Sequence, residues 1–367
     1  MAPRQPGDEV REPPEGLGTD MINFRSDNNA SVDAPILEAL IAEASKRDDA
    51  YGRDEVTAKL DEEWSAVFET AVHVIPVLSG TAANAISLAA VTPSYGTLLC
   101  HRQAHIVEAE VNAAGFFQPG LAISSFEGAH GKISASALQA ALENSPWKSW
   151  NRSQPAALSV TQATELGSVY EPAELGELTD IARRYELCVH MDGARLANAI
   201  AHLGCTPAAA TWRCGVDILS LGASKNGCML GEAIVVFREQ YIPKVRYKAK
   251  QSGQVAAKLR FVSAQLLAYC RGGRWLRSAS RANAAAERLA RGLAAIDRVQ
   301  VATPPQANIV LATLPREVID ALRAGGFTFN DWDRNGTVRL VTSFDTSEED
   351  IARLIQAVRT LVGRSVA

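Results

Sequence analysis

From about residue 72 to residue 237, apolar runs of strand length alternate with helical patterns, and this alternation limits the fold more than any other feature. The runs fall at 72–78, 97–101, 157–162, 187–191, 216–220 and 233–237. Between them, 81–91, 134–143, 172–185 and 193–203 repeat their apolar residues at helical spacing. Strands apolar on both faces need cover on both faces, and intervening helices supply it. The pattern therefore predicts an α/β fold with a mainly parallel, covered sheet.

Two helices are expected before this region. One starts at Pro35 with Asp33 as cap. Another runs from Glu55 to Glu69, with Val56, Leu60, Trp64, Val67 and Phe68 on one face. After residue 240 helical patterns take over, at 256–271 and 273–296. The shorter segments NIVLATL, PREVIDALRAGG and TVRLVTSF follow, then a closing helix from Glu348 to Val362. The expected division is a flexible tail over 1–20, a large domain over 21–250 and a smaller α+β domain over 251–367. The tail is rich in Pro, Gly and charge and has no apolar core, unlike a secretory signal.

The chain has 367 residues, 47% of them hydrophobic and 21% charged, with a net charge of −4. Nothing in that balance favours nucleic acid or an acidic membrane surface. No apolar stretch is long enough to span a bilayer. Cys100, Cys188, Cys205, Cys214, Cys228 and Cys270 form no C-x-x-C pair. They read as reduced thiols of a cytoplasmic protein.

The chemistry-bearing positions cluster at the ends of expected strands. In LGASKNGCMLGEA, Lys225 sits among small residues between VDILS and AIVVF. It suits a covalent anchor for an aldehyde cofactor, since burial or nearby cations favour the unprotonated amine; the plainer reading is a lysine in a tight turn. Asp192 ends LCVHMD, where open α/β sheets place ligand-binding groups. A carboxylate there can pair with a protonated pyridine nitrogen, or simply cap the next helix. Together the two residues suggest pyridoxal 5′-phosphate.

Four further features fit that cofactor. Arg195, in the first turn after Asp192, opposes the helix dipole and so invites a nonlocal anion, either a substrate carboxylate or the cofactor oxygen. Ser79-Gly80-Thr81 joins a strand to a helix and can present amides to a phosphate. His105 can stack on a pyridine face. His101 and His105 have i, i+4 spacing, but the sequence is not H-E-x-x-H and no third ligand is near, so no metal site is expected. Arg339, in TVRLVTSF, can fork a carboxylate from the smaller domain.

In order along the chain, FRSDN, DDAYGRDE, LSGTAAN, HIVEAE, HMDGARLANA, SLGASKNG and VRLVTSFDTSEED resemble the threonine aldolases of the β-eliminating lyase group. These are fold-type I pyridoxal-phosphate enzymes, and the SKNG segment is similar to a bacterial low-specificity branch. The resemblance implies a seven-stranded, mainly parallel sheet in the large domain. It implies that Lys225 holds the cofactor aldehyde, Asp192 pairs with the ring nitrogen, His105 stacks, and Gly80 and Thr81 hold the phosphate. Ser26, Arg195 and Arg339 would grip the amino acid's carboxylate, and Tyr51 would line the pocket. Arg260 would reach a neighbouring subunit's phosphate, making a homodimer or homotetramer with shared sites.

The implied reaction is retro-aldol cleavage of an L-β-hydroxy-α-amino acid (threonine, allo-threonine, possibly phenylserine) to glycine and an aldehyde. A β-eliminating lyase or aminotransferase is the alternative on the same cofactor. The sequence departs from the family at TQATELGS, where Glu165 stands near the place of a histidine, and at Ala109, where an aromatic is common. Both changes bear on the substrate's side-chain end. His105, directly or through water, is the expected base; Glu165 is the other candidate.

Overall fold

The computed structural model describes residues 21–144 and 148–364. The tail expected over 1–20 lies outside the described residues.

The alternating region forms one seven-stranded sheet. Its strands are β1 (His73–Val77), β2 (Gly96–His101), β3 (Ala122–Phe126), β4 (Gln154–Thr161), β5 (Cys188–Gly193), β6 (Ile218–Leu221) and β7 (Glu232–Val236). Their spatial order is β1-β7-β6-β5-β4-β2-β3. β2, β3, β4, β5 and β6 pair in parallel, whereas β7 is antiparallel to both β1 and β6. The mainly parallel sheet expected from the sequence is therefore present. Strands β5, β6 and β7 are buried along their whole length, as expected of strands made mostly of apolar residues.

β3 is the strand that the apolar pattern does not reveal. It lies at the sheet edge, and Ser124 and Ser125 are exposed. The helix expected over 55–69 is two, Glu55–Ala58 and Leu60–Phe68. At Lys59 the amide turns to the Val56 and Thr57 carbonyls, which breaks the regular ladder. Leu60, Trp64 and Phe68 still share one buried face.

The smaller unit has a four-stranded antiparallel sheet, ordered Asn330–Asp331, Thr337–Val341, Ile309–Thr313 and Gln300–Val301. Its core also takes in Ile22 and Phe24. The strand Ile22–Asn23 pairs in parallel with Phe327–Thr328, and the Phe24 carbonyl accepts from the Val341 amide. The segment leading into FRSDN is thus stitched to the C-terminal unit. Conversely, Leu266, Tyr269, Trp275 and Ala279 belong to the core of the large sheet, while Ala285, Leu289 and Leu293 belong to the second core. The Arg274–Ala294 helix bridges both cores, so packing does not divide the chain where the sequence texture changes near 250. Among the described residues, no helix is long and apolar enough to cross a membrane.

Candidate active site

The carboxyl ends of β1, β5 and β6 open on one cavity of about 390 Å³. Its lining includes Gly80, Thr81, His105, Glu165, Asp192 and Lys225. This is the side of a parallel sheet on which loops and helix N-termini converge.

The lysine turn follows β6. Ser224–Asn226 is a single 3-10 turn, ended by Gly227 at φ +113, a conformation that side chains rarely adopt. The turn is clamped from three directions. Glu232 accepts from the Ala223 amide at 2.7 Å and from the Ser224 amide at 3.4 Å. Asn226 donates to the Tyr269 hydroxyl and the Trp275 carbonyl, each at 2.8 Å. The Tyr269 hydroxyl donates in turn to the Gly222 carbonyl. Gly222 is needed for close approach, because a Cβ there would lie 2.3 Å from the Ala194 carbonyl oxygen. That contact brings the Lys225 turn beside the end of β5. Burial raises the Glu232 carboxyl above its ordinary range, with the Ala223 amide opposing the rise.

Asp192 is buried near the end of β5, in register with Thr161 and Ser220. It accepts from the Ala194 amide and from the Asn84 side-chain amide, both at 3.1 Å. Opposite stands the N-terminus of the Gly80–Val91 helix. Ser79 caps it by accepting from the Ala82 amide. The amides of Gly80 and Thr81 lie in the first turn, where a helix offers no acceptor of its own. A Cβ on Gly80 would meet nothing within 4 Å, so this end of the helix faces open space.

His105 opens a short helix, His105–Glu108. Its Nδ1 lies 3.0 Å from Glu110 Oε1. That hydrogen bond raises the imidazole pKa, against the effect of partial burial. His101 is separately engaged: Nδ1 accepts from the Gln103 amide and Nε2 faces the Gly128 carbonyl. Ala109 is exposed and does not line the cavity.

The two arginines lie behind this wall. Arg195 is the N-cap residue of the Leu196–Leu203 helix and is buried. Its Nε and Nη2 donate to the two oxygens of Asp27 at 2.8 and 2.9 Å. Burial alone would raise the Asp27 carboxyl, but Arg195 and Lys225 hold it below the ordinary aspartate range, helped by the Asn308 amide. Arg339 lies 3.7 Å from Glu165. Its Nε is buried and has no hydrogen-bond partner among the described residues. Burial, and then the Arg195 charge, lower Arg339 to about 10.

Three expected site residues lie elsewhere in this single chain. The Ser26 hydroxyl accepts from the Asn28 amide and borders a neighbouring cavity with Ser343 and Asp345. Tyr51 is half-exposed, at φ +60, with the Lys250 ammonium over its ring, and lines a cavity with Arg53 and Arg246. Arg260 is buried beside the Lys46 carbonyl and the Phe261 ring.

Four residues given no role from sequence belong to the site: Asp27, Asn84, Glu110 and Glu232. Asn84 carries a visible signal, an amide in the middle of the apolar helix run GTAANAISLAAV. The others are acids whose partners only the fold supplies.

A family model for β-eliminating lyases matches residues 23–315. The chain belongs to the β-eliminating lyase family. Within it, the chain is similar to a low-specificity L-threonine aldolase of Pseudomonas aeruginosa, 37% identical over 93% of this chain and 98% of the relative. A threonine aldolase of Leishmania major superimposes with a TM-score of 0.86 at 24% identity, over 93% of this chain and 99% of that one. A variant of C-DES with glycine covalently linked to its PLP cofactor shares the fold. Its TM-score is 0.66 at 17% identity, over 94% and 97%. The resemblance read from seven sequence motifs, and the fold class with it, are borne out.

The lining suits pyridoxal phosphate part by part: free helix-end amides for a phosphate, a buried carboxylate for a ring nitrogen, a lysine for an aldehyde. Buried polar atoms without partners, Glu110 Oε2 and Asn84 Oδ1, stand beside that carboxylate.

Proposed function

We propose that this β-eliminating lyase family member cleaves L-β-hydroxy-α-amino acids to glycine and an aldehyde, with pyridoxal 5′-phosphate as cofactor. The observation that carries the reading is the juxtaposition of Lys225, Asp192, His105 and a helix N-terminus around one cavity. It occurs in a chain that aligns almost end to end with low-specificity L-threonine aldolases.

Pyridoxal phosphate, when bound, supplies the electron sink for the bond broken at Cα. Lys225 would hold its aldehyde. The Gly80 and Thr81 amides would take the phosphate, Asp192 would take the ring N–H, and His105 would stack against the ring. Arg339, with a buried donor to spare, takes the substrate carboxylate; Arg195, locked on Asp27, adds positive potential beside it. Holding the carboxylate fixes which Cα bond is aligned for cleavage, an effect worth up to about 7–11 kcal/mol in model systems. His105 and Glu165 are the side chains placed to accept the substrate hydroxyl proton. His105 is preferred because Glu110 orients its ring; Glu165 is engaged with Arg339.

Ser26, one residue before Asp27, is the third side chain assigned to the substrate carboxylate. Tyr51 and Arg260 serve a second subunit's site in a homodimer or homotetramer, which accounts for their distance from this cavity. Threonine, allo-threonine and phenylserine are the substrates to try. A cytoplasmic location fits six free cysteines, five of them buried.

The test is a product assay on these three amino acids with the cofactor-loaded protein. Glycine and aldehyde should appear in equal amounts. Borohydride should fix the cofactor on Lys225, and Lys225→Ala should abolish both results. Ammonia release, or a requirement for a keto acid, would overturn the assignment in favour of elimination or transamination.

A further inference from the structure

Two buried side chains outside the expected machinery join His105 to Asp192. Glu110 Oε1 is 3.0 Å from His105 Nδ1 and accepts from Asn84 Nδ2 at 2.9 Å. The same Asn84 nitrogen donates to Asp192 Oδ2 at 3.1 Å. An amide nitrogen carries two hydrogens, so one can serve each carboxylate. Asn84 thereby separates two acids that would otherwise repel each other in a region of low dielectric.

The local sequence accepts a cost to build this arrangement. Asparagine is a poor residue for a helix interior, and burying its amide unpaired is unfavourable. Asn84 is nonetheless 2% exposed among alanines and isoleucine. Directly after Glu110, Val111 and Asn112 take left-handed backbone, at φ +50 and +56. For a β-branched residue that conformation is strained. Val111 is 96% exposed, so its side chain gains nothing from packing there. The strained turn directly follows Glu110, the residue that meets the His105 ring.

We propose that Asn84 and Glu110 are positioning residues. They form a buried relay that keeps the His105 proton on Nδ1, leaves Nε2 to face the cavity, and pins the Asp192 carboxylate across from it. The proposal rests on the reading of this cavity as the cofactor and substrate site. Its logic is that of an orienting carboxylate behind a catalytic imidazole, with a second acid tied in through one amide.

The test is ring-nitrogen NMR on the full chain labelled with ¹⁵N-histidine, in both cofactor-loaded and cofactor-free forms. The chain has six histidines, and His105→Gln assigns the signal. The wild type should show the Nδ1–H tautomer. Glu165, Asp192 and Lys225 also act on this imidazole, so each variant is compared with the wild type in the same form.

Glu110→Gln should lower the protonation midpoint of His105, and Glu110→Ala should release the tautomer towards Nε2–H. In the loaded protein, Glu110→Gln should cut kcat/KM by roughly 10–100-fold, the range seen when the partner orienting a metal-bound histidine is lost. Glu110→Asp should restore part of that. Asn84→Leu, or Asn84→Asp if the first does not fold, should shift the pH at which the visible cofactor band titrates. An unchanged His105 midpoint and tautomer in the Glu110 variants would overturn the relay. A normal relay in a protein that releases no glycine would count against the proposed reaction alone.

Discussion

Asp27 gives the sharpest test of how the site is held together. Its carboxylate is buried and accepts two hydrogen bonds from Arg195, one from Asn308 and a longer one, at 3.5 Å, from the Ser26 hydroxyl. Asp27→Ala leaves a guanidinium that is 5% exposed without its partner. Breaking a buried pair from one side costs about 3–5 kcal/mol, mostly because the remaining charge is uncompensated. Here Arg339 and Lys225 add to the positive charge nearby, which places the expectation in the upper half of that range. An unfolding entropy of about 2.1 cal/mol/K per residue, over 367 residues, is about 0.8 kcal/mol/K. The expected drop in Tm is therefore about 5–6.5 °C for the cofactor-free protein at neutral pH, read by circular dichroism. Replacing both partners, Asp27→Ala with Arg195→Met, should recover at least half of the loss, because no charge is then stranded. The Asp27 carboxyl is held below its ordinary range, so its contribution is present above about pH 3.9 and fades as pH falls through the lower folded-state value. The gap between wild type and Asp27→Ala should narrow only in that acid window. A single-variant loss under about 1 kcal/mol, or a double variant no more stable than Asp27→Ala, would refute the reasoning.

His190, between Ser159 and Ser220 in the sheet, is held neutral by burial, which pushes its pKa down to about 4. The unfolded chain binds that proton near pH 6.5 and the folded one does not, so stability should fall by about 3 kcal/mol between pH 6.5 and 4. Urea unfolding of wild type and His190→Asn across that range checks it; equal slopes would remove His190 as the cause. For Glu165→Gln, a modest loss of rate or a changed threo/erythro preference is expected, read on paired diastereomers. Loss of all turnover with a normal cofactor spectrum would make Glu165 the leading base instead.

What the sequence reveals and what it conceals divide along one physical line. The strand–helix alternation is readable because burial on both faces of β5, β6 and β7 demands mostly apolar residues. Lys225 and Asp192 are readable because each is a charged residue at the end of such a run, where little but function or capping explains it. β3 escapes because an edge strand can expose its side chains, and the break at Lys59 escapes because a shift of hydrogen-bond partner leaves the helical periodicity intact. Asp27, Glu110 and Glu232 escape for a different reason. The partner of Asp27 lies 168 positions away, and that of Glu110, five positions back, meets it only once the short His105–Glu108 helix has formed and ended. A buried acid costs too much to remain unpaired, so each implies a cation or donor that the sequence does not name. Lys225 shows the consequence. Its position is set less by SKNG itself than by the groups that hold it, Glu232, Tyr269, Trp275 and the missing Cβ of Gly222, so a sequence that keeps the lysine motif while losing those partners should keep the appearance of the site without its geometry.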